Sequence, residues 1–194
     1  MPLFSPPGVK GSRFASVELY AAWMGGRWRM VRQDMNMLEP GASWKETHLI
    51  LGSGKEHFDL DTQVRHLSPQ TYSDVQAKAV LNDKARAVIT GNVIMEKGAR
   101  QGTADLQTHV LMLSPKSRAD TVPGLEILAP DVKAAHAASV SQVDEEQLLY
   151  LESRGLSPDE ARHILVKGFL ASLFDRAPFS FMDDMLEPVI EERV

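Results

Sequence analysis

Cysteine is absent from the 194 residues. That excludes a disulfide framework, and it excludes thiolate ligation of zinc or of an iron–sulfur cluster by this chain alone. Long apolar runs are missing too: nothing approaches the roughly 20 residues that span a bilayer. The opening MPLFSPPGVKG has Pro2, Pro6 and Pro7 where a signal peptide needs an apolar helix. Both observations fit a soluble, cytoplasmic protein. Positive charge is in deficit, with a formal net charge of −5, which argues against nucleic acid as the main partner because phosphate binding is driven by clustered Lys and Arg. The basic cluster Arg27, Arg29 and Arg32 is interleaved with Trp28 and Met30 and reads as an exposed strand face. Neither a Walker A loop nor the GxSxG elbow of a serine hydrolase occurs. Gly52, Ser53 and Gly54 come near the elbow only in composition and read as a turn.

What is present is a β-rich body with a helical tail. A chain of this length buries about two-thirds of its unfolded surface and needs no staples. Residues 1–12 read as a flexible lead, residues 13–143 as a β core and residues 144–194 as a C-terminal helical segment. SVELYAAW, RWRMVRQDMNML and WKETHLIL alternate bulky and polar residues with the period of half-buried strands. HFDLDTQVRHL puts Phe58, Leu60 and Val64 on one face, with His57, Asp59, Asp61, Gln63 and Arg65 on the other. Residues 82–85, 97–101, 115–119 and 130–134 read as successive turns, leading into AVITGNVIM, LQTHVLML, LEILA and HAASVSQV. Their lysines, Lys84, Lys97, Lys116 and Lys133, are loosely spaced, which suits a solenoid of β coils better than a strict tandem repeat. A hairpin-connected sandwich is the alternative.

At Asp144 the pattern turns helical. Asp144 can N-cap DEEQLLYLESR, with Glu145 and Glu146 in the first turn and Gly155 at the C′ position. Ser157, Pro158 and Glu160 form a capping box for a second helix, whose expected apolar stripe is Ala161, Ile164, Leu165, Phe169 and Leu173. A third short helix is expected from Ser180 through MDDMLE, disturbed at Pro188.

Residues that could carry chemistry are few. His57, Asp59 and Asp61 share a strand face and could ligate a metal, but such alternation is also that of a solvated face, which we prefer. His66 and His109 sit among apolar residues and read as structural. His136 lies among Ala134, Ala135, Ala137, Ala138 and Ser139, small neighbours that let a second backbone or an ion approach. One histidine holds no metal tightly, so a site there needs a partner chain.

HFDLDTQVRHLSPQTYSD, LNDKARAVITGNVIMEKGA and the run from Ser114 to Phe169 resemble the C-terminal core of the SufB/SufD family. The resemblance implies a mainly β fold, a right-handed parallel β-helix followed by a short C-terminal α-helical segment. It also implies a part in iron–sulfur cluster assembly, with a SufB and SufD pair bound by SufC, an ABC-type ATPase. Docking of that ATPase would fall to the region of Gln147, Tyr150, Arg154, Gly155, Ala161, Gly168 and Phe169. The SufB cysteine strand reads Gln107, Thr108, His109 here. His136 matches the family histidine, while Ala137 stands where SufB has glutamate and Ala134 where SufD has cysteine. The long N-terminal helical region and further coils usual in the family are not in this chain, which is read as a short form, either natural or the product of a truncated reading frame.

The expectation is a non-catalytic SufD-like subunit that binds no cofactor tightly. A transient iron or cluster would sit at His136 in a complex with a SufB-like chain or a second copy, joined through the β-helix. An ATPase-binding adaptor without metal chemistry is the second reading. A polysaccharide-acting β-helix enzyme using Asp59 and Asp61 is the third.

Overall fold

In the computed structural model the described residues are 3–4, 13–174, 176, 188–190 and 193. The strands are β1 (Leu3–Phe4), β2 (Ser16–Met24), β3 (Trp28–Met37), β4 (Ser43–Gly52), β5 (His57–His66), β6 (Tyr72–Leu81), β7 (Arg86–Met95), β8 (Thr103–Met112), β9 (Arg118–Ile127) and β10 (Lys133–Gln142). They form two five-stranded sheets, ordered β1-β3-β5-β7-β9 and β10-β8-β6-β4-β2, and every pairing among the described residues is parallel. This is a β-solenoid of about four turns, and it rules out the hairpin sandwich. Trp28 pairs with His57, His57 with Arg86 and Arg86 with Arg118, steps of 29, 29 and 32 residues. Successive lysine-bearing turns therefore mark half-coils, and the true repeat is two turns long.

Inner strands show the alternation a pleat demands. In β5, Phe58, Leu60, Thr62, Val64 and His66 are buried, while the intervening residues reach the surface. Facing residues fill the interior: Ile50, Ala77, Ala79 and Val110 of one sheet meet Val31, Leu60, Ala87 and Ile89 of the other. The segment YSDVQAKAVL, rich in residues that favour helices, escapes the sequence reading and forms β6, because its slot between β4 and β8 offers a ladder on both edges. β4 and β6 are buried on both faces over most of their length, since a helix covers the outside of their sheet.

The corners stack as well. Gly41, Gln70 and Gln101 occupy equivalent turns at φ 72°, 58° and 58°. Their N–H groups donate to Pro69, Arg100 and Asp131 carbonyls of the following coil, at 3.1, 2.8 and 2.6 Å. Two of the three are glutamine, so the left-handed turn carries no glycine signal in the sequence.

Helix α1 (Glu145–Ser153) starts at Asp144, which accepts from the Glu146 N–H at 2.9 Å. Gly155 follows at φ 98°. Helix α2 (Pro158–Phe174) has its capping box: Glu160 N–H donates to Ser157 Oγ at 3.3 Å, and Ser157 N–H donates to the Glu160 carboxylate at 2.7 Å. Ala161, Val166, Leu170 and Leu173 are buried; the last three pack with Leu49, Leu51, Val80 and Leu111 of the sheet. The expected stripe needs correction, since Ile164 is 45% exposed and Leu165 and Phe169 are half-buried. Of the third helix, residues 180–187 lie outside the described residues, while residues 188–190 are helical and include Pro188. The lead is described only at Leu3–Phe4, which pairs with Met30 and Val31 of β3.

Coil spacing leaves no room for added atoms at the corner of Gly98, where the neighbour is backbone. A Cβ at Gly98 would lie 2.4 Å from the Leu67 carbonyl oxygen. Gly98→Ala is expected to cost about 1–3 kcal/mol, read as a lower denaturation midpoint with an unchanged m-value.

Candidate functional site

The coil formed by β9 and β10 has no successor among the described residues, and its inner face is open. Leu125, Ile127 and Val140 are 43%, 49% and 40% exposed. Their register partners one coil back, Val93, Met95 and Val110, are 2%, 0% and 0% exposed. These are core positions without a lid, and Leu128, 44% exposed, follows Ile127 at the corner, whereas Val122, opposite Thr90, lies on the outward face of β9. Pro123 sits in β9 opposite Gly91; a strand interior tolerates it because β9 is an edge.

His136 stands on this terminal coil. It pairs with Leu106, an inward residue of β8, so its ring is turned to the interior face. Its Nε2 is buried and has no hydrogen-bond partner. Burying an unpaired polar atom costs free energy that a ligand or covering chain would recover.

The other histidines have different work. His66 is fully buried, with Nδ1 2.8 Å from Thr71 Oγ1 and Nε2 2.8 Å from Ser73 Oγ, and burial pushes its pKa down to about 4. His109 faces outward, bonded to Ser139 Oγ at 2.7 Å, and burial with the nearby Lys78 charge lowers its pKa. His57 lies against Trp28 at 4.6 Å, and Asp61 is 3.9 Å from Arg32. His57, Asp59 and Asp61 form a half-exposed face, and among the described residues no three His, Asp or Glu groups gather to hold a metal. The basic cluster also divides: Arg27 is exposed, Arg29 donates to the Gly25 carbonyl at 2.6 Å and Arg32 pairs with Asp34 at 3.2 Å.

Sequence reading missed an interior network in β4. Trp44 Nε1 donates to Glu46 Oε2 at 2.9 Å, Glu46 Oε1 bonds His48 Nε2, and Trp23 Nε1 donates to His48 Nδ1 at 3.0 Å. Glu46 and His48 are 0% and 1% exposed, and strand alternation alone would place apolar residues there. With both ring nitrogens and both carboxylate oxygens partnered, the network is complete and reads as structural.

A groove runs between α1, α2 and the outer side of β8 and β10. Gln147, Tyr150, Leu151, Ile164 and Leu165 line one part; Leu111, Gly168 and Phe169 line the next. Tyr150 and Leu149 are 58% and 68% exposed, and Arg154 lies over the Tyr150 ring at 5.2 Å. Gly155 is exposed just beyond α1, but Ala161 is 0% exposed and packs inside rather than lining any surface. Lys78, 7% exposed, fixes the groove floor by donating to the Phe169 carbonyl, with its Nζ 4.7 Å from that ring.

Residues 7–169 match the family model described as the SUF system FeS cluster assembly, SufBD core domain. The chain belongs to the SufBD core family. Iron-sulfur cluster assembly protein SufD of Bacillus subtilis is 32% identical over 96% of this chain and 43% of its own length. SufB of the same organism is 31% identical over 75% of this chain and 31% of its own length. A SufBD family protein of Mycobacterium tuberculosis is 36% identical over 65% of this chain and 15% of its own length. The chain thus spans less than half the length of these relatives. On this SufBD core, Thr108 and Ala134 share the inward face with His136, whereas Ala137 points outward beside Gln107. No helix among the described residues is long and apolar enough to cross a membrane.

His66 supplies a pH test of the core. Its pKa falls from an ordinary 6.5 to about 4 on folding, so the unfolded chain binds the proton first, and stability is full above pH 6.5 and lost as pH falls toward 4. Urea unfolding at pH 7.5 and pH 4.5 should differ by about 2–3 kcal/mol from this group, and His66→Asn should shrink that difference.

Proposed function

We propose that this chain is a non-catalytic, SufD-like subunit of an iron–sulfur cluster assembly complex. In this reading a second β-helix, from a SufB-like chain or another copy, covers the open coil, and His136 gives one ligand to iron or a nascent cluster held there as cargo. The observation that carries it is the buried, unpartnered Nε2 of His136 on a coil whose core residues stand uncovered. Covering Leu125, Ile127 and Val140 removes apolar surface from water, at about 25 cal/mol per Å². It also pairs the free edges of β9 and β10, which would otherwise invite uncontrolled pairing. Once water is excluded, a neutral imidazole is a good ligand for iron, and the partner completes the coordination. The α1/α2 groove is read as the seat of an ABC-type ATPase, with Tyr150, Gln147, Gly168 and Phe169 as its contact residues and the cytoplasm as its setting.

A second reading, an adaptor that binds the ATPase without metal chemistry, is favoured by Thr108, Ala134 and Ala137, none of which offers a strong ligand. Iron content of the reconstituted complex separates the two. Under the first reading His136→Ala should lose most of the bound iron while the complex still assembles; unchanged iron would leave the adaptor. Docking is tested by capture of a SufC-like ATPase: Tyr150→Glu should weaken it by about tenfold or more, as expected for an aromatic at the centre of an interface, with thermal stability unchanged.

A further inference from the structure

The turns leading into β5, β7 and β9 bring together cations that are 29 and 32 residues apart in sequence. Lys55, Lys84 and Lys116 each lie two residues before His57, Arg86 and Arg118, which are register partners in consecutive coils. Backbone bonds hold the first two turns in line, with Lys84 N–H donating to the Gly54 carbonyl and Arg86 N–H to the Glu56 carbonyl, both at 2.9 Å; the third turn, one residue longer, rejoins the register where Arg118 N–H donates to the Ala85 carbonyl at 3.0 Å. Arg86 and Arg118 continue the column, and Arg27 precedes it one coil earlier, where the His57 N–H donates to its carbonyl at 3.2 Å. All six cations are exposed, and none pairs with an acid among the described residues. Of the acids on the same turns, Glu56 pairs with Arg193 at 2.9 Å, while Asp83 accepts only the neutral Gly54 N–H at 2.9 Å, so one carboxylate stands against six cations.

Neighbouring coils are about 4.8 Å apart, so these like charges repel one another in a chain whose net charge is −5. A column of that kind is relieved by a partner that brings negative charge at the same interval. We propose that it docks an acidic helix of a partner protein. Carboxylates at i and i+4 recur about every 5–6 Å along a helix, close to the coil spacing, so one acidic stripe can meet successive coils in turn. Trp28, 50% exposed and resting on His57, gives the first coil an aromatic edge for the helix to pack on. Asp59 and Asp120, two residues farther along their strands on the same outward face, confine the positive strip to a narrow ridge. They disfavour a broad polyanion such as a nucleic-acid backbone. Several weak pairs in register act chiefly on encounter rate and orientation. The column ends on the open coil at Lys116 and Arg118, but it uses the outward face of the turns rather than the inner face that holds His136 or the α1/α2 groove, so binding there is read apart from both.

The probe is a fluorescein-labelled helical peptide with glutamate at each i, i+4 position, compared with a scrambled isomer of equal charge, and anisotropy is read at low and physiological ionic strength. The intact chain should bind the ordered peptide more tightly than the scrambled one, with affinity falling as salt rises. The triple variant Lys55→Glu, Lys84→Glu, Lys116→Glu should bind about tenfold or more weakly. Should that variant melt early, the corresponding Lys→Gln triple serves, with a smaller loss expected. Equal binding by variant and parent, equal binding of both peptides, or displacement of the peptide by a single-stranded oligonucleotide at lower concentration would overturn the proposal.

Discussion

The parallel backbone ladder between coils is the constraint on which the rest depends. Each inner strand bonds a coil below and a coil above, and its alternate side chains are dry only because both neighbours exist. Leu60, Ile89 and Val110 are 1%, 3% and 0% exposed inside that stack. Chemically similar residues on the last coil, Leu125 and Ile127, are close to half exposed. The difference comes from position in the stack, not from residue type.

Every candidate functional surface follows from the same stacking. The open coil presents apolar core residues and an orphaned imidazole at one end. The outer side of the β4, β6 and β8 sheet is apolar enough to seat α2, and α1 then rises from the last strand to complete a groove over Phe169. Turns stacked at a corner convert scattered lysines into a charged ridge. A β-solenoid thus carries its candidate recognition features at its end, on its clad face and along its edge, while the interior holds the closed Trp44, Glu46 and His48 network.

The mainly β body, the turn positions and both helix caps were legible in the sequence, because each rests on short-range chemistry: alternation in HFDLDTQVRHL, Asp144 and Ser157 as caps, Gly155 as a left-handed stop. The family resemblance supplied the parallel coil that alternation could not separate from a sandwich. Three features were hidden. YSDVQAKAVL lacks strand propensity and is a strand because its neighbours supply ladders on both edges. Gln70 and Gln101 turn left-handed where glycine would have been the signal. The face that α2 buries differed from the expected stripe: a 17-residue helix lying between a sheet and a second helix divides its apolar residues between two partners, so Ile164 and Phe169 line the groove while Val166 and Leu170 meet the sheet.

For the site, the sequence singled out His136 and the groove residues Gln147, Tyr150, Gly168 and Phe169, and it also named Ala161, which the structure buries because of where the sheet lies. By itself it determined that no thiolate could come from this chain, that strands would alternate and that two capped helices would follow, since composition, period and capping are properties of neighbouring residues. Only the tertiary structure decided which coil is last, which apolar residues remain uncovered, where the His136 nitrogen lacks a partner and which cations share a column. Those are relations between residues about 30 positions apart, and the coil-to-coil register that creates them is written in no single stretch of chain.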